Sequence, residues 1–120
     1  MSASLPPDRL EIDVDADGSS LGVVLHLKGE LDAATVGQLE RSLMGLPTPF
    51  AKLVLDLHEL SFVDSLGLNM LFRGREWAQS QGVEMRVTRA PVHVQRLIAL
   101  AALDATFGPF YTDVAAALRA

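Results

Sequence analysis

Ser65 is the residue of this sequence whose type and position most clearly suit a chemical role. The segment Asp64-Ser65-Leu66-Gly67 follows an apolar run and precedes apolar residues at helical spacing. A serine at a helix N-terminus can present its hydroxyl to solvent as a nucleophile or phosphoryl acceptor, or it can cap the helix. In the simplest interpretation Ser65 is the N-cap, and Gly67 allows the first turn to pack tightly.

A catalytic role for Ser65 has weak support in the sequence. The nucleophile elbow of hydrolases is G-x-S-x-G, and Val63 stands where the first glycine belongs. His93 is the only histidine after Ser65, and no acidic residue stands near it as an orienter. An esterase-like enzyme is the least favoured interpretation, and we expect the chain not to be an enzyme.

Asp32 is a second candidate residue, at the end of the segment Gly29-Glu30-Leu31-Asp32. Its carboxylate can cap the helix predicted after it. In α/β proteins, functional sites collect beyond the carboxyl ends of the strands. If the strands before Asp32 and Ser65 are neighbours, the two residues lie on the same rim of the sheet.

Hydrophobic periodicity divides the chain into strands and helices. Alternation predicts three strands: Leu10–Val14, Val23–Leu27 and Val83–Thr88. The first two are predicted to form an antiparallel hairpin. The apolar run Leu53–Leu57 predicts a central strand covered on both faces. Four helices are expected: Val36–Leu46, Ser65 to near Gly82, one after Pro91 and one opening at Thr112 or Asp113. His58–Asp64 is expected to be a connection, and Ala105–Phe107 a short edge strand.

Strands that alternate with helices predict an α/β fold. We expect a mixed β-sheet, mostly parallel with an N-terminal β-hairpin, flanked by about four α-helices. Residues 1–8 are expected to be a flexible tail, and residues 9–120 a single domain.

The composition of the 120-residue chain excludes several classes of function. Ten Lys and Arg against 15 Asp and Glu give a net charge of −5, which argues against nucleic-acid binding. No cysteine is present, and His26, His58 and His93 lack ligand spacing, so we expect no metal site. His26 is expected to be an outward-facing strand residue. No phosphate-binding glycine motif occurs, so no cofactor is expected. The run Leu97–Leu103 is too short for a membrane span, so we expect a cytoplasmic protein with no membrane partner.

Three blocks of sequence resemble one known family. The segment Gly29–Asp32 resembles its G-E-[LI]-D motif, and Leu53–Leu71 resembles its V-[IL]-D-L-x-x-[LV]-x-F-[IM]-D-S-[ST]-G-L-x-x-L signature. The residues that fit its closing pattern are Pro91, Val94, Arg96, Leu97, Leu103 and Phe107. The chain therefore resembles a STAS domain of the anti-sigma factor antagonist type, from Leu10 to Leu118.

The resemblance implies a phosphorylation switch at Ser65. The implied partners are an anti-sigma factor serine kinase with a histidine-kinase-like ATPase fold, and a PPM-type phosphatase. Unphosphorylated, such an antagonist binds the kinase and frees a sigma factor, often in a stress response. The alternative is a STAS scaffold in a stress-signalling or lipid-transport complex, in which Ser65 is only a cap.

The neighbours of the switch serine are expected to be Asp32, Asp64, Leu66 and Gly67. Partner binding is expected to involve Glu30 and the α-helical stripe that continues from Leu66 through Met70, Arg73 and Trp77. An equally weighted alternative has Trp77 packed under a neighbouring loop.

Overall fold

The computed structural model describes residues 9–16, 22–46, 50–101 and 109–120. Its sheet has the order β1-β2-β3-β4-β5. The strands are β1 (Leu10–Asp15), β2 (Val23–Leu31), β3 (Lys52–Val63), β4 (Glu84–Thr88) and β5 (Phe110–Tyr111). β1 is antiparallel to β2, and the other neighbouring pairs are parallel. The expected mixed, mostly parallel sheet with an N-terminal hairpin is confirmed.

Four helices flank this sheet within the described ranges, as expected. They are α1 (Val36–Met44), α2 (Ser65–Ser80), α3 (Val92–Leu100) and α4 (Val114–Arg119). α4 begins where the sequence predicts, because the Asp113 carboxylate accepts a hydrogen bond from the backbone N–H of Ala116 at 2.8 Å. The predicted edge strand Ala105–Phe107 and the predicted tail over residues 1–8 lie outside the described residues.

The main core lies between one face of the sheet and helices α1, α2 and α3. Alternate residues of the central strands supply its sheet side, and the helices supply Leu39, Leu43, Leu68, Leu71, Ala78, Val94 and Ile98. On the opposite face, Val24 and Val54 pack against Ala117 of α4. The central strand is therefore covered on both faces, as the apolar run predicts.

β3 is longer than the sequence predicts. The expected connection His58–Asp64 is wrong, because the strand continues to Val63. Its pairing with β2 shifts register twice, and each shift places one extra residue in β3. These bulges keep Leu57, Leu60 and Val63 buried at three-residue intervals, a spacing that does not match a regular strand.

Within the described ranges, no helix has both the length and the apolar character that crossing a membrane requires.

Candidate functional site

The strands β2 and β3 end side by side. Leu31 pairs with Val63, and the N–H of Asp64 donates to the carbonyl oxygen of Leu31 at 3.2 Å. Asp32 and Ser65 follow these two strand ends, so both lie on one rim of the sheet, as expected from the strand order. We call residues 31–35 and 63–67 the switch rim.

Asp64, and not Ser65, is the N-cap of α2. Its Oδ1 accepts a hydrogen bond from the N–H of Gly67 at 2.8 Å, and its Oδ2 accepts one from the N–H of Ala33 at 3.2 Å. The simplest interpretation of Ser65 as the cap is therefore wrong. A carboxylate has two acceptor oxygens, so Asp64 can cap the helix and also hold the segment after β2.

Ser65 is exposed at the first position of α2. The hydrogen bonds among the described residues include none from its hydroxyl group. Leu66 beside it is 52% exposed, although it is apolar. The geometry thus presents a serine hydroxyl and an apolar side chain together at a helix N-terminus.

Two further apolar side chains are exposed, one at the end of β3 and one at the start of α3, and the local sequence does not indicate either. Phe62 is 44% exposed at the end of β3, and Val92 is 70% exposed at the start of α3. His93 Nε2 lies 2.5 Å from the Ser61 carbonyl oxygen, which brings the start of α3 to the end of β3. Their exposure could not be read from the sequence, because strand and helix patterns both favour buried apolar residues.

Gly67 allows α2 to approach the end of β2, as the sequence suggests. A Cβ atom at this position would lie 2.3 Å from the Leu31 carbonyl oxygen and 2.8 Å from Val63 Cγ2. Both distances are too short for non-bonded atoms. Only glycine therefore fits here without a shift of the helix.

Asp32 is buried, at 8% exposure, and it stabilises a turn rather than the helix itself. Its Oδ1 accepts a hydrogen bond from the N–H of Ala34 at 3.0 Å. α1 begins only at Val36, with Thr35 as its N-cap residue. The prediction that Asp32 caps the helix is corrected accordingly. We call residues 32–35 the Asp32 turn.

The hydroxyl of Thr35 is a buried part of this turn that is not among the predicted site residues. It accepts a hydrogen bond from the N–H of Asp32 at 2.9 Å and donates one to the Glu30 carbonyl oxygen at 2.8 Å. The sequence signal for such a turn is Asp32 itself, because an aspartate side chain often accepts the backbone N–H two residues further on, as it does here from Ala34. Thr35 thus joins the end of β2 to the start of α1.

Arg9 also contacts the Asp32 turn. Its guanidinium lies 3.0 Å from Asp32 Oδ1 and 3.3 Å from Glu30 Oε1. Glu30, predicted as a partner-binding residue, is therefore held in an ion pair at the end of β2. Nothing in the local sequence pattern connects Arg9 with residues more than twenty positions away.

The predicted stripe of Leu66, Met70, Arg73 and Trp77 lines a groove between α1 and α2. Two adjoining hollows, of about 150 and 160 Å³, share Met70 and Arg73. The α1 side of this groove is formed by Val36, Gly37, Glu40, Leu43 and Met44. Trp77 is half-buried and packs on the core beside α1, so it forms part of the groove wall.

His26 forms a hydrogen-bonded pair with Asp56 on the face of the sheet away from the main core. His26 Nδ1 lies 2.7 Å from Asp56 Oδ2, while Thr88 Oγ1 and the N–H of His58 donate to Asp56 Oδ1 at 3.2 and 3.1 Å. Burial raises the pKa of the Asp56 carboxyl. The hydrogen bonds and the nearby His26 lower the pKa by more than burial raises it, so it lies below its ordinary value. The sequence predicts His26 only as an outward-facing strand residue and gives no sign of its pairing with Asp56.

The low pKa of Asp56 makes its contribution to stability depend on pH. A carboxyl whose pKa is lower in the folded protein stabilises it above the unfolded pKa, near 3.9, and loses that effect as pH falls through the folded pKa. We expect Asp56→Asn to lower the free energy of unfolding by about 1–3 kcal/mol at pH 7, because hydrogen bonds to a charged acceptor are lost. Urea unfolding should show this difference shrinking as the pH falls below about 4. An equal difference at pH 7 and at pH 3 would contradict it.

Among residues 9–16, 22–46, 50–101 and 109–120, no group of three or more His, Asp or Glu side chains has the geometry of a metal site.

Comparison with known proteins adds to this geometry. A crystal structure of an anti-sigma factor antagonist from Mycobacterium paratuberculosis is 30% identical, covers 95% of each chain and has a TM-score of 0.78. The anti-sigma factor antagonist SpoIIAA, in its unphosphorylated form, has a TM-score of 0.67 at 17% identity over 85% of this chain and 89% of its own, which shows a shared fold.

Osmosensory protein A of Mycobacterium tuberculosis is 30% identical in a 91-residue alignment that covers 70% of this chain. This chain spans only 58% of the length of that relative. The family model of the STAS domain matches residues 11–117, which include the whole switch rim and the groove. The chain therefore belongs to the STAS domain family.

Proposed function

We propose that this protein is an anti-sigma factor antagonist controlled by phosphorylation of Ser65. Its unphosphorylated form binds a serine-kinase anti-sigma factor, which then releases its sigma factor. The observation that carries the proposal is the exposed position of Ser65 at the start of α2, next to a cap residue that also holds the Asp32 turn. The similarity to an anti-sigma factor antagonist over 95% of both chains supports this role.

The phosphoryl transfer needs only one group from this chain. The Oγ of Ser65 attacks the γ-phosphorus of an ATP molecule bound by the kinase, and a new O–P bond forms as the bond to the ADP oxygen breaks. ADP leaves, and the hydroxyl proton passes to a base of the kinase or to water. This chain is then the substrate, and the partner supplies the nucleotide and the catalytic groups.

Charge at the switch rim explains how a phosphate can turn binding off. Phosphoserine carries about −1.5 to −2 charges at pH 7, and the Asp64 carboxylate belongs to the adjacent residue. Two unit charges about 5 Å apart repel by roughly 3 kcal/mol at an effective dielectric constant of about 20, before screening by salt. The favourable interaction of the phosphate with the helix N-terminus offsets only about 0.3–1 kcal/mol of this repulsion. The exposed site lets the fold tolerate this charge, whereas a docked partner must desolvate it.

The surface around Ser65 is suited to contact with a protein. Leu66, Phe62 and Val92 are exposed apolar side chains, and Leu66 also lines the groove together with Met70. An exposed apolar side chain that lines a groove is suited to contact with a partner. We assign this surface, together with Arg73 and the nearby Glu30, to the contact with the kinase.

Resetting the switch requires hydrolysis of the phosphoserine. A PPM-type phosphatase would direct water to the phosphorus atom, and the Ser65 oxygen would leave and regain a proton. This chain again acts as substrate. The name of the relative from Mycobacterium tuberculosis, osmosensory protein A, refers to osmosensing. We therefore place the switch in a stress response that acts on transcription.

The experiment that tests the proposal is a phosphorylation assay with radiolabelled ATP. Each histidine-kinase-like serine kinase encoded in the source genome is incubated with the wild-type chain, Ser65→Ala or Ser61→Ala. Ser61 is an exposed serine on β3, so its substitution is a matched control. We expect label on the wild-type chain and on Ser61→Ala, and none on Ser65→Ala.

Two outcomes would overturn the proposal. Label that persists on Ser65→Ala would place the acceptor elsewhere. A wild-type chain that forms complexes with these kinases but takes no label from any of them would favour the non-catalytic scaffold.

A further inference from the structure

Arg9 lies outside the three sequence blocks that resemble the family, but it contacts two residues of the first block. Its guanidinium bridges two carboxylates at the end of β2, at 3.0 Å to Asp32 and 3.3 Å to Glu30. The Arg9 side chain is 45% exposed, whereas the residue Asp32 is only 8% exposed. A nearly buried carboxylate needs a partner, because removing its charge from water is costly.

The backbone explains why Arg9 reaches this place. The N–H of Glu30 donates to the Arg9 carbonyl oxygen at 2.6 Å. Gly29 has a φ of +108°, and a Cβ there would lie 2.0 Å from the same oxygen. The glycine therefore allows the residue before β1 to lie directly against the end of β2.

The Asp32 turn transmits this contact to the switch helix. Asp32 Oδ1, which receives the guanidinium, also accepts the N–H of Ala34. The preceding residue, Ala33, donates its N–H to Asp64 Oδ2, and Asp64 caps α2 through Gly67. These polar contacts, joined through the backbone of residues 32–34, connect Arg9 with the first turn of the helix that carries the switch serine.

We propose that Arg9 is a positioning residue for Ser65. Its ion pair with Asp32 holds the Asp32 turn against Asp64 and so fixes the orientation in which α2 presents the serine hydroxyl. This inference rests on the proposed function for its role in phosphorylation, whereas the positioning of the turn is a property of the free protein. Reaction rates respond strongly to small displacements of a nucleophile, so the position of the turn should affect the transfer step.

The first test measures amide hydrogen exchange by NMR in the free protein. We compare the wild type with Arg9→Gln, with Arg9→Lys and with Arg96→Gln, which removes a charge from an exposed position on α3. An ion pair worth about 0.5–1 kcal/mol predicts that exchange of the Ala33 and Gly67 amides becomes about two- to fivefold faster in Arg9→Gln. Arg9→Lys should recover part of this protection, and Arg96→Gln should leave it unchanged. Unchanged exchange in Arg9→Gln would overturn the proposal.

The second test measures phosphorylation kinetics with the kinase that labels the wild-type chain. We expect Arg9→Gln to lower kcat by about five- to tenfold with KM changed less than about twofold. The substitution frees the Glu30 carboxylate, but Glu30 stays paired in β2, so the main effect falls on the position of the nucleophile. A rise in KM alone, or no kinetic change despite faster exchange, would overturn the positioning role. If no kinase labels the wild-type chain, the proposed function fails, and the exchange test still decides whether Arg9 holds the turn.

Discussion

Binding to the serine-kinase anti-sigma factor should weaken at least about tenfold when Ser65 is replaced by aspartate, which corresponds to about 1.4 kcal/mol. The new carboxylate lies next to the Asp64 carboxylate, and a docked partner must desolvate both charges. The fold itself should not suffer, because an acidic residue in the first turn of a helix is favourable by about 0.3–1 kcal/mol. Isothermal titration calorimetry measures the affinity, and urea unfolding measures the stability.

Two variants separate the effect of charge from other effects of this substitution. Ser65→Asn has nearly the shape of the aspartate variant without its charge, so it should keep most of the affinity. Gln79→Glu adds one negative charge at an exposed position of α2, about 21 Å along the helix from Ser65 at about 1.5 Å per residue. It should bind like the wild type. Equal loss of affinity in Ser65→Asn and Ser65→Asp would show that shape, and not charge, controls the contact.

Gly67→Ala should lower the free energy of unfolding by about 1–3 kcal/mol, the usual cost of an extra methyl group in a packed site. The new Cβ would meet the Leu31 carbonyl oxygen at 2.3 Å, and a backbone atom in a paired strand cannot turn away. α2 must therefore move outward, which also lengthens the hydrogen bonds of Asp64 to Gly67 and Ala33. Urea unfolding should show the loss, and the NMR signal of the Ala33 amide should shift.

Gly74→Ala is the matched control on the same helix. Its Cβ would lie 3.4 Å from Leu43 Cδ1, which is an ordinary contact with a side chain that can adjust. Alanine is favoured over glycine inside a helix by roughly 0.5–1 kcal/mol, so this variant should be as stable as the wild type or slightly more stable. Similar destabilisation of both variants would contradict the assigned contact between Gly67 and the end of β2.

The order and type of most elements follow from local patterns in the sequence. Alternation in Leu10–Val14 and in Val83–Thr88, and helical spacing after Val36 and Ser65, match the observed strands and helices closely. β3 is the exception. Its bulges keep apolar residues buried at intervals of three, and a pattern rule based on a period of two cannot recognise such a strand.

The candidate site is predictable only in part. The motif around Ser65 and the neighbouring strand ends place Asp32 and Ser65 on one rim, and the structure agrees. The prediction of Ser65 as the cap of α2 is wrong because both Asp64 and Ser65 are good capping residues. Asp64 also accepts the N–H of Ala33, which follows the end of β2, and no local pattern around Ser65 shows this contact. The phosphorylation of Ser65 remains a prediction that the experiments above test, and the partner-binding roles of Met70, Arg73 and Trp77 also remain predictions.

The sequence by itself determined the fold class, the position of Ser65 at a helix N-terminus and the absence of cysteine chemistry. These depend on residue type and short-range periodicity, which are properties of neighbouring positions. Only the tertiary structure decided that Arg9 pairs with Asp32 and that His26 pairs with Asp56. These pairs join residues more than twenty positions apart, and strand register, which depends on the packing of the whole sheet, determines which side chains meet.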